Sequence, residues 1–149
     1  MFIGSFKYSV DSKGRISIPA KFKKVLKPEA NDTFVMTRST VQCIDVYPFN
    51  YWEEKIKPRI DALDDFDIDE AAFKRSLFEL ASDQELDKQS RLFLPKSLLE
   101  FAGIDKEVLI LGQNNKIEFW NPEIFEKQKR EFPKPFAELA KQVMNNSQK

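Results

Sequence analysis

The chain has 149 residues, 42% of them hydrophobic, and its 24 basic and 24 acidic residues cancel to zero net charge. This length suits one domain or two small ones, and no apolar run approaches the roughly twenty residues that a membrane helix needs. With no histidine and one cysteine, the chain excludes zinc sites, Ser/His/Asp triads and Cys/His dyads.

The remaining composition narrows the chemistry further. Only four glycines occur, and no phosphate-cradling glycine loop can be written from them. Cys43 is the single cysteine, so no internal disulfide can form, and we expect a buried structural thiol in a reducing, cytoplasmic compartment. We expect no metal and no cofactor, because no spacing of carboxylates or lysines singles out a catalytic site.

Basic and acidic residues are separated along the chain. Residues 1–28 hold seven lysines and arginines against Asp11 alone, whereas residues 61–70 (DALDDFDIDE) hold six acids and no base. Basic clusters can contact polyanions such as nucleic acid, although a solvated surface is the simpler interpretation of a run of charge.

The first half predicts two strands around a tight turn, then a short helix, a hairpin and a second helix. FKYSVD and RISI alternate as strands do, so Ile16 and Ile18 share one face, and DSKG is a turn in which Gly14 can take a positive φ. Pro19 can begin the helix AKFKKVL, because the first helical N–H needs no partner. TFVMTRS and VQCIDVYP then predict a hairpin, and NYWEEKIK an amphipathic helix.

A linking segment and a second half follow. IDEAAFKRSLFELAS places Ile68, Ala72, Leu77 and Leu80 near helical spacing. The second half repeats the earlier order: KSLLEFA predicts a helix ended by Gly103, EVLILGQ and NKIEFWN a hairpin, and EIFEKQKREF a helix. The tail PFAELAKQVM carries an apolar stripe. Both it and the linking helix can pack on a partner or on their own chain, and we expect the second.

One unusual phrase occurs twice, as DSKGRISIPAKF at residues 11–22 and DKQSRLFLPKSL at residues 87–98. A shift of 76 residues aligns the two phrases, and with a small gap the match continues through both hairpins. The chain is therefore a tandem duplication of about 60 residues a copy. The aligned pairs include Asp11 with Asp87, Arg15 with Arg91, Pro19 with Pro95, Ile44 with Ile117, and Asp45 with Glu118.

The duplication predicts how the chain is organised. A unit of about 60 residues with short strands leaves open edges and a thin core. Two such units can pair their edges and bury their apolar faces together, so we expect an α+β chain that is a pseudo-symmetric dimer of repeats. The expected segments are a first repeat at residues 1–57, a connecting helical segment at 58–82, a second repeat at 83–131 and a helical tail at 132–149.

The doubled Asp-x-x-x-Arg phrase, together with the opening MFIGSFKYSVDSKGRISIP, closely resembles the MraZ family across essentially the whole chain. Each copy also resembles the single-copy modules of the AbrB and SpoVT type. The resemblance implies two β-rich, swapped-hairpin, double-psi-barrel-like repeats with added helices. It further implies a bacterial transcription regulator. The same resemblance implies that this regulator represses the division and cell-wall gene cluster. Such a protein would be cytoplasmic and nucleoid-associated, forming a homo-oligomeric ring of roughly eight to twelve copies on direct repeats in double-stranded DNA.

The same resemblance places the Asp-x-x-x-Arg loops against DNA. Arg15 offers a planar fork that fits guanine O6 and N7 in the major groove, and lysines supply looser contacts to phosphate. Asp11 and Asp87 would structure the loops, since their charge would repel phosphate. The predicted DNA-binding residues are Ser12, Lys13, Gly14, Arg15, Lys21, Lys23, Lys88 and Arg91.

The second loop differs from the first at two positions: Ser90 occupies the position of Gly14, and Phe93 occupies that of Ser17. A non-glycine residue at positive φ is strained, and Phe93 indicates a strand buried on both faces. The surroundings are also less basic, so we do not expect the two loops to contribute equally.

Two other interpretations remain open. Each Asp–Arg pair could serve only as an internal salt bridge that fixes a turn. The chain could also be an oligomeric, antitoxin-like protein-interaction module that does not bind DNA. An enzyme has no support beyond the presence of carboxylates.

Overall fold

The fold is α+β, with antiparallel strands and helices that follow one another in the same order in each half. The structure is a computed structural model that describes residues 1–132 and 134–147. The first half contributes β1 (Ser5–Ser9), β2 (Arg15–Ser17), β3 (Thr33–Arg38) and β4 (Ile44–Pro48). The second half contributes β5 (Ser82–Glu85), β6 (Arg91–Phe93), β7 (Glu107–Gln113) and β8 (Lys116–Trp120).

Prolines begin the short helices that follow β2 and β6, and a glycine ends the second of them. One short helix in each half follows a proline, Pro19 or Pro95, and the second of these ends at Gly103, whose φ of +67° is the predicted left-handed cap. The helices are α1 (Ala20–Val25), α2 (Phe49–Tyr51), α3 (Lys57–Asp61), α4 (Ile68–Leu80), α5 (Lys96–Ala102), α6 (Pro122–Glu131) and α7 (Phe136–Ser147), with a 3₁₀ turn at Pro28–Ala30 and a π-helical turn, Trp52–Ile56, between α2 and α3.

The first strand of each half joins the hairpin of the other half. Strand β1 pairs with β7, from Ser5 opposite Leu111 to Ser9 opposite Glu107, and β5 pairs with β3 in the same antiparallel sense. The two hairpins meet along β4 and β8, which gives a six-stranded sheet in the order β1-β7-β8-β4-β3-β5. This exchange confirms the swapped-hairpin repeats and the pseudo-dimer within one chain.

The second strands of the two halves, β2 and β6, form a separate two-stranded sheet. The loops beside it are joined by reciprocal backbone hydrogen bonds. The Ile18 N–H donates to the Ser90 carbonyl at 3.0 Å, and the Leu94 N–H donates to the Gly14 carbonyl at 2.7 Å. The two Asp-x-x-x-Arg loops are therefore held side by side by their own backbones.

One main core contains side chains from both halves. Ile16 of β2 and Leu92 of β6 are fully buried in it, and Phe22 of α1 receives the Phe2 ring edge-on at 5.3 Å between ring centroids. Two smaller clusters, around Trp52 and around Trp120, lie on the opposite, outer face of the large sheet. Trp52, Phe119 and Trp120 are therefore buried, and neither half has a main core of its own. No helix in the described part of the chain combines the length and apolar character that a bilayer crossing requires.

Two helices pack less closely than the sequence pattern predicted. Leu77 and Leu80 of α4 contact the hydrophobic clusters, but Ile68 at its start is 86% exposed. In α7, Phe136 is 86% exposed and Val143 is 59% exposed. The expectation that the tail helix packs within its own chain is wrong for these side chains, because the stripe faces solvent.

A buried ion cluster lies where the two hairpins meet. The β4–β8 register places Asp45 opposite Glu118, and Lys116 Nζ lies 2.7 Å from Asp45 Oδ1 and 3.4 Å from Glu118 Oε2. Burial raises the pKa of Asp45, and Lys116 opposes that rise. Burial alone would lower the pKa of Lys116, but its hydrogen bond to Asp45 and the charge of Asp45 outweigh burial and raise it. One lysine thus compensates two carboxylates at equivalent positions of the two repeats.

Replacing Lys116 by methionine tests this compensation. Lys116→Met leaves the Asp45 carboxylate buried without its cation. We expect the free energy of unfolding to fall by about 3 kcal/mol at neutral pH, the low end for a buried pair because the Lys116 side chain is 26% exposed. The Asp45 pKa, already raised, rises further without the lysine. The penalty is therefore small below the ordinary carboxyl pKa of 3.8 and develops as the pH rises through the raised value of the folded state.

Urea unfolding at about pH 5 and about pH 8 measures this difference. The matched control is Lys57→Met, which removes an exposed lysine that pairs with Asp61 and is expected to change stability little at either pH. An equal loss for Lys116→Met at both pH values would contradict the assignment.

Candidate nucleic-acid interface

Asp11 fixes the first loop through three hydrogen bonds. Its Oδ1 accepts from the backbone N–H groups of Lys13 and Arg15, both at 2.9 Å, and its Oδ2 accepts from Arg15 Nε at 2.9 Å. The backbone closes the turn, since the Asp11 N–H donates to the Arg15 carbonyl at 2.8 Å and the Gly14 N–H to the Asp11 carbonyl at 3.0 Å. An ionised carboxylate suits this position because both of its oxygens accept and neither carries a proton.

The second loop has the same hydrogen bonds. Asp87 Oδ1 accepts from the N–H groups of Gln89 and Arg91 at 2.9 Å, and its Oδ2 accepts from Arg91 Nε at 2.8 Å. Ser90 adopts a φ of +59°, where Gly14 has +79°. Ser90 therefore takes the left-handed conformation, and its replacement of glycine leaves the turn unchanged.

Both guanidinium groups keep donors for a ligand. The Asp–Arg contact uses the Nε of each arginine, and over residues 1–132 and 134–147 no hydrogen bond joins an Nη atom of Arg15 or Arg91 to the protein. In the β2–β6 register Arg15 lies opposite Phe93 and Ser17 lies opposite Arg91. These four residues, which we call the arginine face, therefore lie on the side of the ribbon that points away from the core.

The arginine face corrects one expectation. Phe93 is 44% exposed, so β6 is not buried on both faces. The register explains this, because Phe93 lies beside Arg15 on the outer side of the ribbon while its neighbour Leu92 enters the core. The Asp–Arg pair that fixes a turn is present in both loops, and it leaves each guanidinium partly exposed.

Hydrogen bonds keep both loop carboxylates charged. The Arg15 N–H makes the largest contribution to lowering the pKa of Asp11 below its ordinary value, and the Arg91 N–H does the same for Asp87. Each carboxylate then balances its own arginine. The exposed side chains of Lys13 and Lys88 leave each loop with a net positive charge.

The other predicted residues lie near these loops in the chain but not all on them. Ser12 is exposed on the first loop, whereas Lys21 and Lys23 belong to α1. Lys23 Nζ lies 3.3 Å from Asp32 Oδ1, and Lys21 is exposed. The structure therefore brings together, on two adjoining loops, Ser12, Lys13, Gly14, Arg15, Lys88 and Arg91.

A second polar cluster lies at the junction of the two hairpins and was not predicted from the sequence. Ligand atoms of Cys43, Asp45 and Glu118 lie within 4.8 Å of one another, and all three residues are buried. Burial raises the pKa of the Cys43 thiol, which keeps it protonated, while Lys116 already supplies a positive charge to the carboxylates. The cluster is therefore a structural ion pair rather than a metal site. Its one sequence signal was the repeat alignment of Asp45 with Glu118.

An apolar groove lies on the outer face of the first half. It encloses about 790 Å³ between the β3–β4 hairpin, the helical segment that runs from α2 to α3, and α4. The apolar residues that line it are Trp52, Ile56, Ile60, Leu63, Ala72, Phe73 and Leu77.

Comparison with known proteins agrees with the internal duplication. The model of one family, described as "MraZ protein, putative antitoxin-like", matches residues 1–76 and again residues 77–146. The second match begins 76 residues after the first, which is the shift that aligns the two loops.

Two relatives resemble the chain over nearly its whole length. The transcriptional regulator MraZ of Natranaerobius thermophilus is 39% identical over 145 residues, which are 97% of this chain and 98% of that protein. The transcriptional regulator MraZ of Desulforamulus reducens is 34% identical over 145 residues, covering 97% of this chain and 99% of that protein. The doubled loops, the two family matches and these relatives together show that the chain belongs to the MraZ family.

Proposed function

We propose that this chain is a transcription regulator, not an enzyme, and that it binds specific sequences of double-stranded DNA through the arginine face. The observation that carries the proposal is the pair of adjoining loops, in which Asp11 and Asp87 orient Arg15 and Arg91 by the same three hydrogen bonds. The names of the two relatives support it, since both are called transcriptional regulators.

The shape of the arginine face suits DNA. Strands β2 and β6 form a two-stranded ribbon, and the major groove of B-DNA admits such a ribbon as it admits a helix. A guanidinium fork fits guanine O6 and N7, and a good bidentate pair discriminates against a wrong base by about 1–3 kcal/mol. Because the carboxylate holds Nε, the Nη donors are oriented before DNA binds, which lowers the entropy cost of the contact.

Lysines around the arginine face would supply contacts to phosphate. Lys13 and Lys88 are exposed on the loops, and Lys21 is exposed on α1. Lys23 must give up its ion pair with Asp32 to reach a phosphate, so we expect it to contribute less. The acidic residues 61–70 lie at the end of α3, in the connection to α4 and in the first turn of α4, not on the arginine face.

The arginine face of one chain carries two arginines, Arg15 and Arg91, so we propose that several chains bind DNA together. The family resemblance supports a ring of roughly eight to twelve copies that binds direct repeats and represses the division and cell-wall gene cluster. Linked copies raise the effective concentration of each arginine face at the next repeat. Such a regulator would work in the cytoplasm, on the nucleoid.

A protein-interaction module is the second candidate. The antitoxin-like description of the family and the exposed apolar side chains of α4 and α7 favour it. Stoichiometric recovery of an unrelated protein in a pull-down, with no DNA retained when nuclease is omitted, would support it over DNA binding.

Arg15 variants test the proposed DNA contact. We expect Arg15→Ala to weaken binding to DNA from upstream of the protein's own gene by about 10- to 100-fold, the equivalent of one bidentate base contact. Arg15→Lys keeps the charge but not the fork, so it should lose sequence discrimination while the salt dependence of binding stays nearly unchanged.

Fluorescence anisotropy at several salt concentrations, with specific and scrambled duplexes, measures both quantities. The control is Lys55→Ala, which removes an exposed charge from the π-helical turn and should leave specific binding unchanged. Full specific binding by Arg15→Ala would refute the proposed role of the arginine face.

The two loops should contribute unequally to the affinity for DNA. We expect Arg91→Ala to weaken DNA binding less than Arg15→Ala. The helix after the first loop, AKFKKV, carries three lysines, whereas the helix after the second, KSLLEFA, carries one lysine and one glutamate. The same titrations measure the difference, and an equal or larger loss for Arg91→Ala would contradict it.

The Asp11→Asn variant separates two effects of the Asp11 carboxylate: its orientation of Arg15 and its negative charge near DNA. Removing a negative charge near DNA should strengthen binding by simple electrostatics, but we expect this variant to bind specific DNA more weakly, because Arg15 Nε loses its ionised acceptor. The matched control is Glu29→Gln, which removes an exposed acid elsewhere and should bind as well as the wild type or slightly better. Stronger specific binding by Asp11→Asn would show that the carboxylate does not position Arg15.

A further inference from the structure

Helix α7 carries an apolar stripe, of which Phe136 is 86% and Val143 59% exposed. Phe136, Leu139, Ala140 and Val143 follow the spacing i, i+3, i+4 and i+7, which places them on one side of the helix. Asn145 lies on the opposite side, nine residues and therefore half a turn from the position of Phe136. An amphipathic helix of this kind buries its stripe when it meets a concave apolar surface.

The groove on the outer face of the first half is a surface of this kind. Trp52, Ile60 and Leu77 belong to the cluster beneath it, and Phe73, on α4, is 51% exposed at its edge. Every described residue that lines the groove lies between Thr37 and Leu77, so none of them comes from α7. The chain therefore contains both an apolar helix stripe and an unfilled apolar groove.

We propose that the groove of one copy binds helix α7 of the next copy. This inference rests on the assembly proposed above and specifies the contact that builds it. The helix and the groove are different patches of one chain, so each copy can pass its helix to the next copy instead of exchanging helices within a two-fold pair. Such a head-to-tail contact propagates from copy to copy and forms a ring when the rotation closes.

The internal duplication supports this use of α7. Helices α4 and α7 come last in their repeats, each after a hairpin and a first helix. Helix α4 packs on the outer face of its sheet, where Leu77 contacts the cluster of Val35, Trp52 and Ile60. A helix from this position in the repeat is thus suited to cover an apolar outer face, and α7 has its stripe free to do so on a neighbour.

Charge complementarity also supports the contact between the groove and helix α7. Arg38 and Arg59 line the groove, and Arg59 has no ion pair among the residues that the structure describes. Among the residues that the structure describes, the last turn of helix α7 carries no basic residue to offset the helix dipole. A guanidinium group of the groove can supply that positive charge.

The size of the contact favours a closed ring. A stripe of four side chains buries roughly 400 Å² on the helix and about twice that over both partners, which is less than the ~1,200–2,000 Å² of stable pairwise interfaces. Two copies alone would therefore associate weakly. In a ring each copy makes two contacts, and closure adds the last contact within one particle.

Two pairs of matched variants test the contact in the full chain, without DNA. In the helix, Val143→Glu places a charge in the stripe, and Asn145→Glu places the same charge on the opposite side. In α4, Phe73→Glu changes the groove, and Phe78→Glu changes a phenylalanine of similar exposure, 48%, that does not line it. Light scattering gives the mass of each particle, and circular dichroism shows that each variant is folded.

We expect Val143→Glu and Phe73→Glu to be monomers and the two controls to assemble as the wild type does. Mixing the two monomeric variants at high concentration should yield a one-to-one pair and nothing larger, because one keeps an intact groove and the other an intact helix. Wild-type assembly by either Val143→Glu or Phe73→Glu would overturn the inference, and so would the absence of a pair on mixing.

The outcomes separate this contact from the proposed function. A wild-type chain that is itself monomeric would remove both the contact and the ring, while DNA recognition by the arginine face would still be judged by the Arg15 variants. Assembly that survives both stripe and groove variants would remove only the contact.

Discussion

The exchange of edge strands between the two repeats is the interaction on which the rest of the structure depends. Strand β1 completes the hairpin of the second half and β5 completes that of the first. Without the exchange, each hairpin would leave an open edge and each half would lack the opposite wall of the main core. The same exchange carries β2 and β6 across the molecule so that they pair with each other.

The pairing of β2 with β6 connects the fold to its candidate site. Reciprocal hydrogen bonds between Ile18 and Ser90, and between Leu94 and Gly14, hold the loops side by side. Within each loop the carboxylate organises the turn and orients the arginine at once. An arrangement that depends on two half-molecules, rather than on one flexible loop, keeps the guanidinium groups on one rigid surface.

Local features of the fold could be predicted because local residues determine them. Pro19 and Pro95 begin helices, and Gly103 ends one, since their backbone preferences act within a single turn. The partner of each strand could not be derived from periodicity, because alternation shows which face is buried but not which strand lies alongside. The swapped arrangement came instead from the family resemblance of the repeated phrase.

The features that sequence reasoning missed depend on distant contacts. Phe93 was read as a core residue because it is apolar, but the β2–β6 register places it outside. Lys116 meets Asp45 across 71 residues, a separation at which no local pattern predicts a buried ion pair. The α7 helix was predicted correctly from its stripe, whereas the exposure of Phe136 and Val143 depends on packing that the stripe alone does not reveal.

Fusing the two repeats also frees them from being identical. Two separate copies of one repeat would meet across a true dyad, and their recognition surface would match a palindrome. In this chain Ser17 on one strand corresponds to Phe93 on the other, and Gly14 corresponds to Ser90. The surface therefore has distinguishable left and right sides, and a base sequence recognised through the proposed DNA contact would have a polarity along the duplex.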